Sequence, residues 1–178
     1  GTWFKIAVDR DGVYKLTYTA LHQMGLDTLV NPADIRLFGN GGGMVPDLNA
    51  LDRPDDLVEN AIDVKDENFN GRFDTTDYVL FYGEGPDRWT ATTTSGVFKH
   101  IKNIYSDSTY YFITVDQGPG KRVTLSTPSA AANVSTNSFN DRVFHEEDRF
   151  NFVKSGSEWY GESFEIQTSQ TIPFSFPN

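Results

Sequence analysis

The chain has 178 residues, no cysteine and a formal net charge of −10. The absence of cysteine excludes disulfides, thiolate nucleophiles and cysteine-bound zinc, so a metal ion would have to be held by oxygen atoms. The negative charge opposes binding of a phosphate backbone, so nucleic acid is not expected as a partner. No run of 18 apolar residues occurs, and the sequence therefore predicts no membrane-spanning segment.

Short apolar segments separated by turn residues run along the chain and predict strands. The alternating segment 3–8, the turn residues 9–12 and the segment 13–16 together predict a β-hairpin. A short helix is predicted over 17–24, because threonines can cap its start and a glycine follows its end. The other predicted strands, in chain order, are 35–38, 60–64, 78–82, 110–115 and 122–125.

These elements predict a mainly β, or β-rich α+β, chain of antiparallel sheets, sandwich- or barrel-like, with one or two short helices. A shift to Ser, Thr, Ala and Asn marks 127–138 as the predicted linker. This linker divides the chain into a β-rich N-terminal domain, 1–126, and a second β unit, 139–178. The second unit is predicted to be truncated, because only its opening strands, 164–166 and 171–174, can be recognised.

The strongest local signal is an acidic segment of 12 residues, 66–77, which lies between two predicted strands. An EF-hand or dockerin calcium loop needs oxygen ligands at positions 1, 3, 5, 9 and 12, a glycine at position 6 and a backbone carbonyl at position 7. The predicted ligands are Asp66, Asn68, Asn70, the backbone carbonyl of Arg72, Asp74 and Asp77, with Gly71 at the turn. Ca²⁺ takes about six to eight hard oxygens, and alternate residues of such a loop can direct theirs to one point. We therefore predict a bound Ca²⁺ that stabilises the junction between the two strands.

Two details of this loop qualify the prediction. Asp77 occupies position 12, where EF-hands have the longer Glu and dockerin repeats have Asp. Phe69 and Phe73 are predicted to face away from the ion and into the core. The alternative interpretation is an acidic Asn-Gly turn on a solvated surface, although an ordinary turn has no reason to fill every ligand position.

Motifs for catalysis are sparse. The three histidines, His22, His100 and His145, lie far apart in the sequence, and no Gly-x-Ser-x-Gly elbow is present. The glycine run 39–43 lacks the Lys-Ser or Lys-Thr that a phosphate-binding loop requires, so we interpret it as a turn with positive φ. The chain by itself is therefore predicted not to be an enzyme.

Seven segments, taken together and in order, carry a resemblance to a known family. They are WFKI at 3–6, DGVYKL at 11–16, IRLFGNGG at 35–42, RPDDLVEN at 53–60, FDTTDYVLFYGEGP at 73–86, HIKNIYS at 100–106 and SGSEWYGE at 155–162. The chain resembles the N-terminal, non-catalytic region of the PorU-type sortases of the type IX secretion system, which are gingipain-type cysteine peptidases of Bacteroidetes. It departs from the family pattern at Ser157, where arginine is expected.

The resemblance implies an extracellular or cell-surface location, associated with the outer membrane. It also implies a catalytic Cys/His domain beyond Asn178, which would be the main partner, together with other components of the secretion system or the cell surface. The chain would then be a pro-region or accessory scaffold of a peptidase. Since it does not begin with a charged and apolar leader, we expect a signal peptide to have been removed or the chain to start inside a longer protein.

Two rival functions come from other classes. The first is a carbohydrate- or glycan-binding surface module. Exposed aromatic rings can stack on sugars, and the chain offers Trp89, Trp159 and Tyr160 for this. Such residues more often lie in a core. The second is a hydrolase that acts by itself, but the sequence has neither a cysteine nor a nucleophile motif to support it.

Overall fold

The computed structural model describes residues 1–26, 30–91, 98–127, 132, 134–138, 141–154, 156 and 158–176. Its residues fall into two compact units, Gly1–Ser126 and Thr127–Asn178. The predicted linker 127–138 falls at the start of the second unit. Parts of that linker, and Ser157, lie outside the described residues.

The first unit contains the regular secondary structure. Its strands are β1 (Phe4–Val8), β2 (Gly12–Thr17), β3 (Arg36–Phe38), β4 (Glu59–Asn60), β5 (Asp63–Lys65), β6 (Tyr78–Gly83), β7 (Arg88–Ala91), β8 (Phe98–Ile101) and β9 (Thr109–Thr114). The described residues of this unit also form the α-helix α1 (Tyr18–Gln23) and the 3-10 turn Pro32–Asp34. The Thr17 side chain accepts a hydrogen bond from the N–H of Ala20 and so caps α1, as the sequence indicates. The prediction of a mainly β fold with short helices is confirmed.

The strands form three antiparallel groups. One sheet has the order β1-β9-β3-β4, a second has the order β2-β6-β5, and β7 pairs with β8 in a two-stranded ribbon. The described strands leave both larger sheets open, so they do not form a closed barrel. Buried side chains from the two larger sheets share one hydrophobic core, which makes the unit sandwich-like.

The predicted hairpin of β1 and β2 is wrong. Phe4 of β1 lies opposite Ile113 of β9, whereas Leu16 of β2 lies opposite Val79 of β6. The turn residues between the two strands carry the chain from one sheet to the other, where the Asp11 carboxylate accepts the N–H of Gly85 at 2.7 Å. Alternation identifies a strand and its buried face, but it does not identify the neighbouring strand.

Two other strand predictions are also wrong. The predicted strand 60–64 is two short strands, because β4 belongs to the first sheet and β5 to the second. The segment 122–125 forms no strand and contributes a single parallel bridge between Ile62 and Arg122. The Arg122 guanidinium donates instead to the carbonyl oxygens of Pro32 and Ala33, both at 2.6 Å, and so satisfies two backbone acceptors of the 3-10 turn.

Contacts between aromatic rings join the two sheets. Phe81 of β6 and Tyr111 of β9 are 2% and 1% exposed, and their ring centroids lie 5.4 Å apart. Leu21 of α1 is fully buried in the same cluster. Full burial of a side chain of this size contributes about 1.5–3 kcal/mol to folding. The core therefore fixes how β6 and β9 face each other, and β6 begins at the end of the acidic loop.

The second unit has little regular structure among its described residues. A single antiparallel bridge joins Phe150 to Tyr160, and His145 Nε2 lies 2.5 Å from Glu162 Oε1. The described residues at 164–166 and 171–174 form no strand, and the second β unit stays a prediction. Large apolar side chains such as Ile166 are almost fully exposed there.

Candidate metal centre

The acidic loop 66–77 connects two neighbouring antiparallel strands. β5 ends at Lys65, β6 begins at Tyr78, and Lys65 lies opposite Tyr78 in the ladder. The sequence-based prediction that this loop joins two strands, and not two helices, is confirmed. Any group that tightens the loop therefore also stabilises the β5–β6 pair.

The loop is also tied to the rest of the first unit. The N–H of Phe73 donates to the carbonyl oxygen of Val30 at 2.9 Å, and the N–H of Tyr18 donates to that of Asp77 at 3.0 Å. Phe73 is fully buried, as predicted, and its ring lies 6.0 Å from that of Tyr18. The loop is thus anchored to the start of α1 by both backbone and ring contacts.

Phe69 does not face the core, so that prediction is wrong. Its side chain is 90% exposed, and its φ of 55° places the backbone in the left-handed region. The chain reverses at this residue, and the reversal turns the side chain outward instead of toward the core that receives Phe73.

The first predicted ligand, Asp66, organises the turn. Its carboxylate accepts hydrogen bonds from the N–H groups of Asn70 at 3.2 Å and Gly71 at 2.8 Å. Gly71 has a φ of +73°, which glycine adopts without steric cost. This is the sharp turn at position 6 that the loop pattern requires.

The middle of the loop gathers three of the predicted ligands. The side-chain amide nitrogen of Asn70 donates to Asp74 Oδ2 at 2.7 Å, and that of Asn68 donates to both carboxylate oxygens of Asp74 at 3.1 Å. The hydrogen bond from Asn70, and then that from Asn68, lowers the pKa of Asp74 below its usual value. Arg72, predicted to act through its carbonyl, donates its N–H to Asn70 Oδ1 at 2.8 Å.

The last predicted ligand, Asp77, is the most buried. It is 1% exposed, and its carboxylate accepts the N–H groups of Glu67 at 3.0 Å and Asp74 at 2.8 Å. Asp66 and Asp77 are therefore held by backbone donors at the two ends of the loop. Asn68, Asn70 and Asp74 lie together in one hydrogen-bonded cluster between them.

This arrangement fits an oxygen-ligated cation in its turn geometry and in its donor types. Ca²⁺ is bound by carboxylate, carboxamide and backbone oxygens, and the loop supplies all three. Among the described residues no three Asp, Glu, His or Cys side chains lie close enough together to hold a metal ion. Bound calcium and its ligand set stay a prediction.

The three histidines that the sequence singled out each contact a different group within their own unit. His22 Nδ1 lies 3.2 Å from the carbonyl oxygen of Leu26, His100 Nε2 lies 3.4 Å from Asp87 Oδ2, and His145 contacts a glutamate of the second unit. The glycine run 39–43 is a turn in which Gly41 and Gly43 have positive φ, as predicted.

The first unit also contains a cleft of about 440 Å³ that the sequence did not predict. It lies beside the glycine run, and Asn60, Tyr82, Glu84 and Tyr111 contribute to its walls. These residues come from three strands and a following loop that are distant in sequence. No motif links them, so no sequence signal could have identified the cleft.

The chain was compared with protein-family models, curated proteins and solved structures, and only the solved structures gave a match. No protein-family model matches the chain, and no curated protein matches it. A solved structure, that of dimeric latent PorU from Porphyromonas gingivalis, matches 74% of this chain at 29% sequence identity and a TM-score of 0.51. The chain is similar to a part of PorU. It spans 11% of the PorU chain, so the match concerns one fragment of a much longer protein. No helix among the described residues is long and apolar enough to cross a membrane.

Proposed function

We propose that this chain is a non-catalytic accessory or pro-region domain of a secreted or cell-surface peptidase of the PorU type. The observation that carries the proposal is the similarity to PorU over 74% of this chain, which corresponds to only 11% of the PorU chain. A small β-rich unit attached to a much larger partner suits a scaffold role. The seven segments that resemble type IX secretion sortases in the sequence support the same assignment.

The proposal gives this domain no part in bond cleavage. The chain has no cysteine to serve as the nucleophile of a gingipain-type peptidase. Its role would be to fold early and to shield or position the downstream catalytic domain. Other components of the secretion system or the cell surface are further candidate partners, and the outer membrane of a Bacteroidetes cell is the proposed location.

We further propose that Ca²⁺ stabilises this domain at the loop 66–77. The proposed ligands are the side chains of Asp66, Asn68, Asn70, Asp74 and Asp77 and the carbonyl of Arg72. The loop holds four carboxylates within 12 residues, three of them on proposed ligands, and a divalent cation would offset their mutual repulsion. Because the loop joins β5 to β6 and is anchored to α1, the ion would act on stability and not on chemistry.

The gene sequence beyond codon 178 provides the first test of the accessory role. We expect a gingipain-like catalytic region with paired His and Cys there, and its absence would contradict the proposal. A second test compares secretion and activity of the full-length protein with and without residues 1–126. Loss of folded, secreted peptidase is expected, and unchanged amounts of active enzyme would count against a scaffold role.

The second candidate function is a glycan-binding surface module. The observation that favours it is the exposure of the aromatic side chains that the sequence singled out. Trp89, Trp159 and Tyr160 are 37%, 42% and 49% exposed, so none of them is a core residue. Trp89 contacts His100 at a ring-centroid distance of 4.7 Å, which fixes the orientation of its ring. An array of immobilised glycans tests this function, and absence of binding across it would exclude it.

A further inference from the structure

The cleft of the first unit has the size and the lining of a small-molecule site. Its volume of about 440 Å³ lies within the range of roughly 300–1,000 Å³ that such sites occupy. The turn at Gly39 and Gly41 forms one wall, and side chains of β6 and β9 form the other. All of its lining residues lie in the first unit, so the cleft is complete without the second.

Two side chains on the floor of the cleft leave hydrogen-bonding capacity unused. Tyr111 is 1% exposed, and its hydroxyl oxygen accepts the N–H of Glu84 at 2.8 Å, so its own proton remains available for donation. Burial raises the pKa of Tyr111, which keeps the phenol protonated. Asn60 donates its amide hydrogens to the carbonyl oxygens of Gly39 at 2.8 Å and Val58 at 3.0 Å, which leaves its Oδ1 as an acceptor.

The charged groups of the cleft neutralise each other. Arg88 Nη2 lies 2.8 Å from Glu84 Oε2, and the same guanidinium donates to the carbonyl oxygen of Gly42 at 2.6 and 2.9 Å. Opposite charges this close nearly cancel at longer range, so the cleft does not select an ionic ligand. The other carboxylate oxygen of Glu84 remains an acceptor for a hydroxyl group.

An aromatic ring lies at the edge of these polar groups. Tyr82 lines the cleft and is 58% exposed, although it belongs to a central strand of its sheet. A tyrosine ring combines an apolar body with a polar tip, and its flat face can pack against the C–H groups of a sugar ring. A sugar hydroxyl both donates and accepts, so it can satisfy the Tyr111 donor and the acceptors of Asn60 and Glu84.

We propose that this cleft binds a saccharide unit of a neutral glycan, with Tyr82 stacking on the sugar ring and with Asn60, Glu84 and Tyr111 hydrogen-bonded to its hydroxyls. The proposal rests on the second candidate function, glycan binding, and assigns it to this cleft. It goes beyond the accessory role, because a scaffold does not need a binding site. It is also independent of the calcium loop, since no predicted calcium ligand lines the cleft.

Titration of the full 178-residue chain with cellohexaose, maltohexaose and mannohexaose tests this site. We expect at least one of these neutral probes to bind at millimolar or lower concentration. Tyr82→Ala should weaken that binding by about tenfold or more, because it removes the stacking surface. Tyr111→Phe keeps the buried ring and removes only the hydroxyl, so it should weaken binding without unfolding the chain. Circular dichroism checks the fold of each variant.

Tyr105→Ala is the matched control, because Tyr105 is 73% exposed and does not line the cleft. It should leave the dissociation constant unchanged. Absence of binding to all three probes, or equal binding by wild type and Tyr82→Ala, would overturn the proposal. Tighter binding of hexasaccharides of glucuronic acid would overturn the neutral class of ligand. The accessory role is tested separately by secretion of the full-length protein and does not depend on these results.

Discussion

The buried carboxylate of Asp77 accepts a hydrogen bond from the backbone N–H of Glu67, with 3.0 Å between nitrogen and oxygen. It accepts a second from the N–H of Asp74 at 2.8 Å, so one side chain holds both ends of the acidic loop. The last residue of the loop therefore organises it through hydrogen bonds that need no ion.

Substitution of Asp77 should destabilise the first unit even when no metal is present. In Asp77→Ala both N–H groups lose their acceptor, and we expect the free energy of unfolding to fall by roughly 1–3 kcal/mol. Urea denaturation in the presence of EDTA measures this change. Asp63→Ala is the control, because the ion pair of Asp63 with Lys65 is solvent-exposed and should contribute little. Equal destabilisation by the two variants would contradict the stabilising role of the Asp77 carboxylate as a hydrogen-bond acceptor.

Calcium should raise the melting temperature of the wild-type chain, and EDTA should reverse the effect. A ligand that binds only the folded state at 100 times its dissociation constant stabilises that state by about 2.7 kcal/mol. Asp66→Asn should lose most of this response, because a neutral amide replaces a predicted carboxylate ligand. Asp55→Asn lies outside the loop and should respond like wild type. If neither EDTA nor added Ca²⁺ changed the melting temperature, a structural ion would be ruled out.

The ion pair of Arg36 and Glu59 should make stability depend on pH. Arg36 Nη2 and Nε lie 2.6 and 3.1 Å from the two oxygens of Glu59, and this hydrogen bonding lowers the pKa of Glu59 below its ordinary value of 4.5. A lowered pKa means that the folded state favours the ionised carboxylate. The contribution is therefore complete above about pH 4.5 and is lost as the pH falls through the lowered pKa.

Glu59→Gln isolates this contribution, because glutamine keeps the shape of the side chain but does not titrate. Urea denaturation at pH 7, 5, 4 and 3 should show wild type losing more stability than Glu59→Gln across the acidic range. The variant should be the less stable of the two at pH 7. Parallel profiles over the whole range would show that this carboxylate does not contribute to the acid response.

Gly42 should not tolerate even alanine. A Cβ atom at this position would lie 1.6 Å from the backbone carbonyl oxygen of Gly85, so the turn would have to move. That movement would disturb the hydrogen bonds from Arg88 to the Gly42 carbonyl. We expect a loss of about 1–3 kcal/mol in the free energy of unfolding. Gly12→Ala is the control, because a Cβ there meets no heavy atom within 4 Å; a similar loss in both variants would refute the steric explanation.

Local sequence patterns predicted the position of the acidic loop and much of its internal geometry. The spacing of Asp66 and Gly71 identified the sharp turn, and Phe73 was correctly assigned to the core. These features depend on residues within one short segment, whose backbone preferences act locally. Phe69 was misplaced because a single left-handed residue changes the direction of a side chain, and alternation in the sequence does not reveal it.

The cleft and the strand pairing could not be predicted in this way. Tyr82 and Tyr111 lie on strands of different sheets, and they line one cleft only because the two sheets pack together. β1 and β2 are adjacent in sequence, yet each finds its partner in a distant strand. Such pairing depends on burial of the apolar faces of both sheets in one core, which is a property of the whole unit.

The sequence by itself determined that the chain is acidic, free of cysteine and mainly β, and that one 12-residue segment has oxygen-bearing side chains at every position where a calcium loop needs a side-chain ligand. Composition and local spacing are sufficient for those conclusions, because they concern residue chemistry and short-range backbone geometry. Only the tertiary structure decided that Asp77 is buried and that Tyr111 leaves a hydroxyl proton available in a cleft. Those properties arise from contacts between segments far apart in the chain, and the packed core of the two sheets brings these segments together.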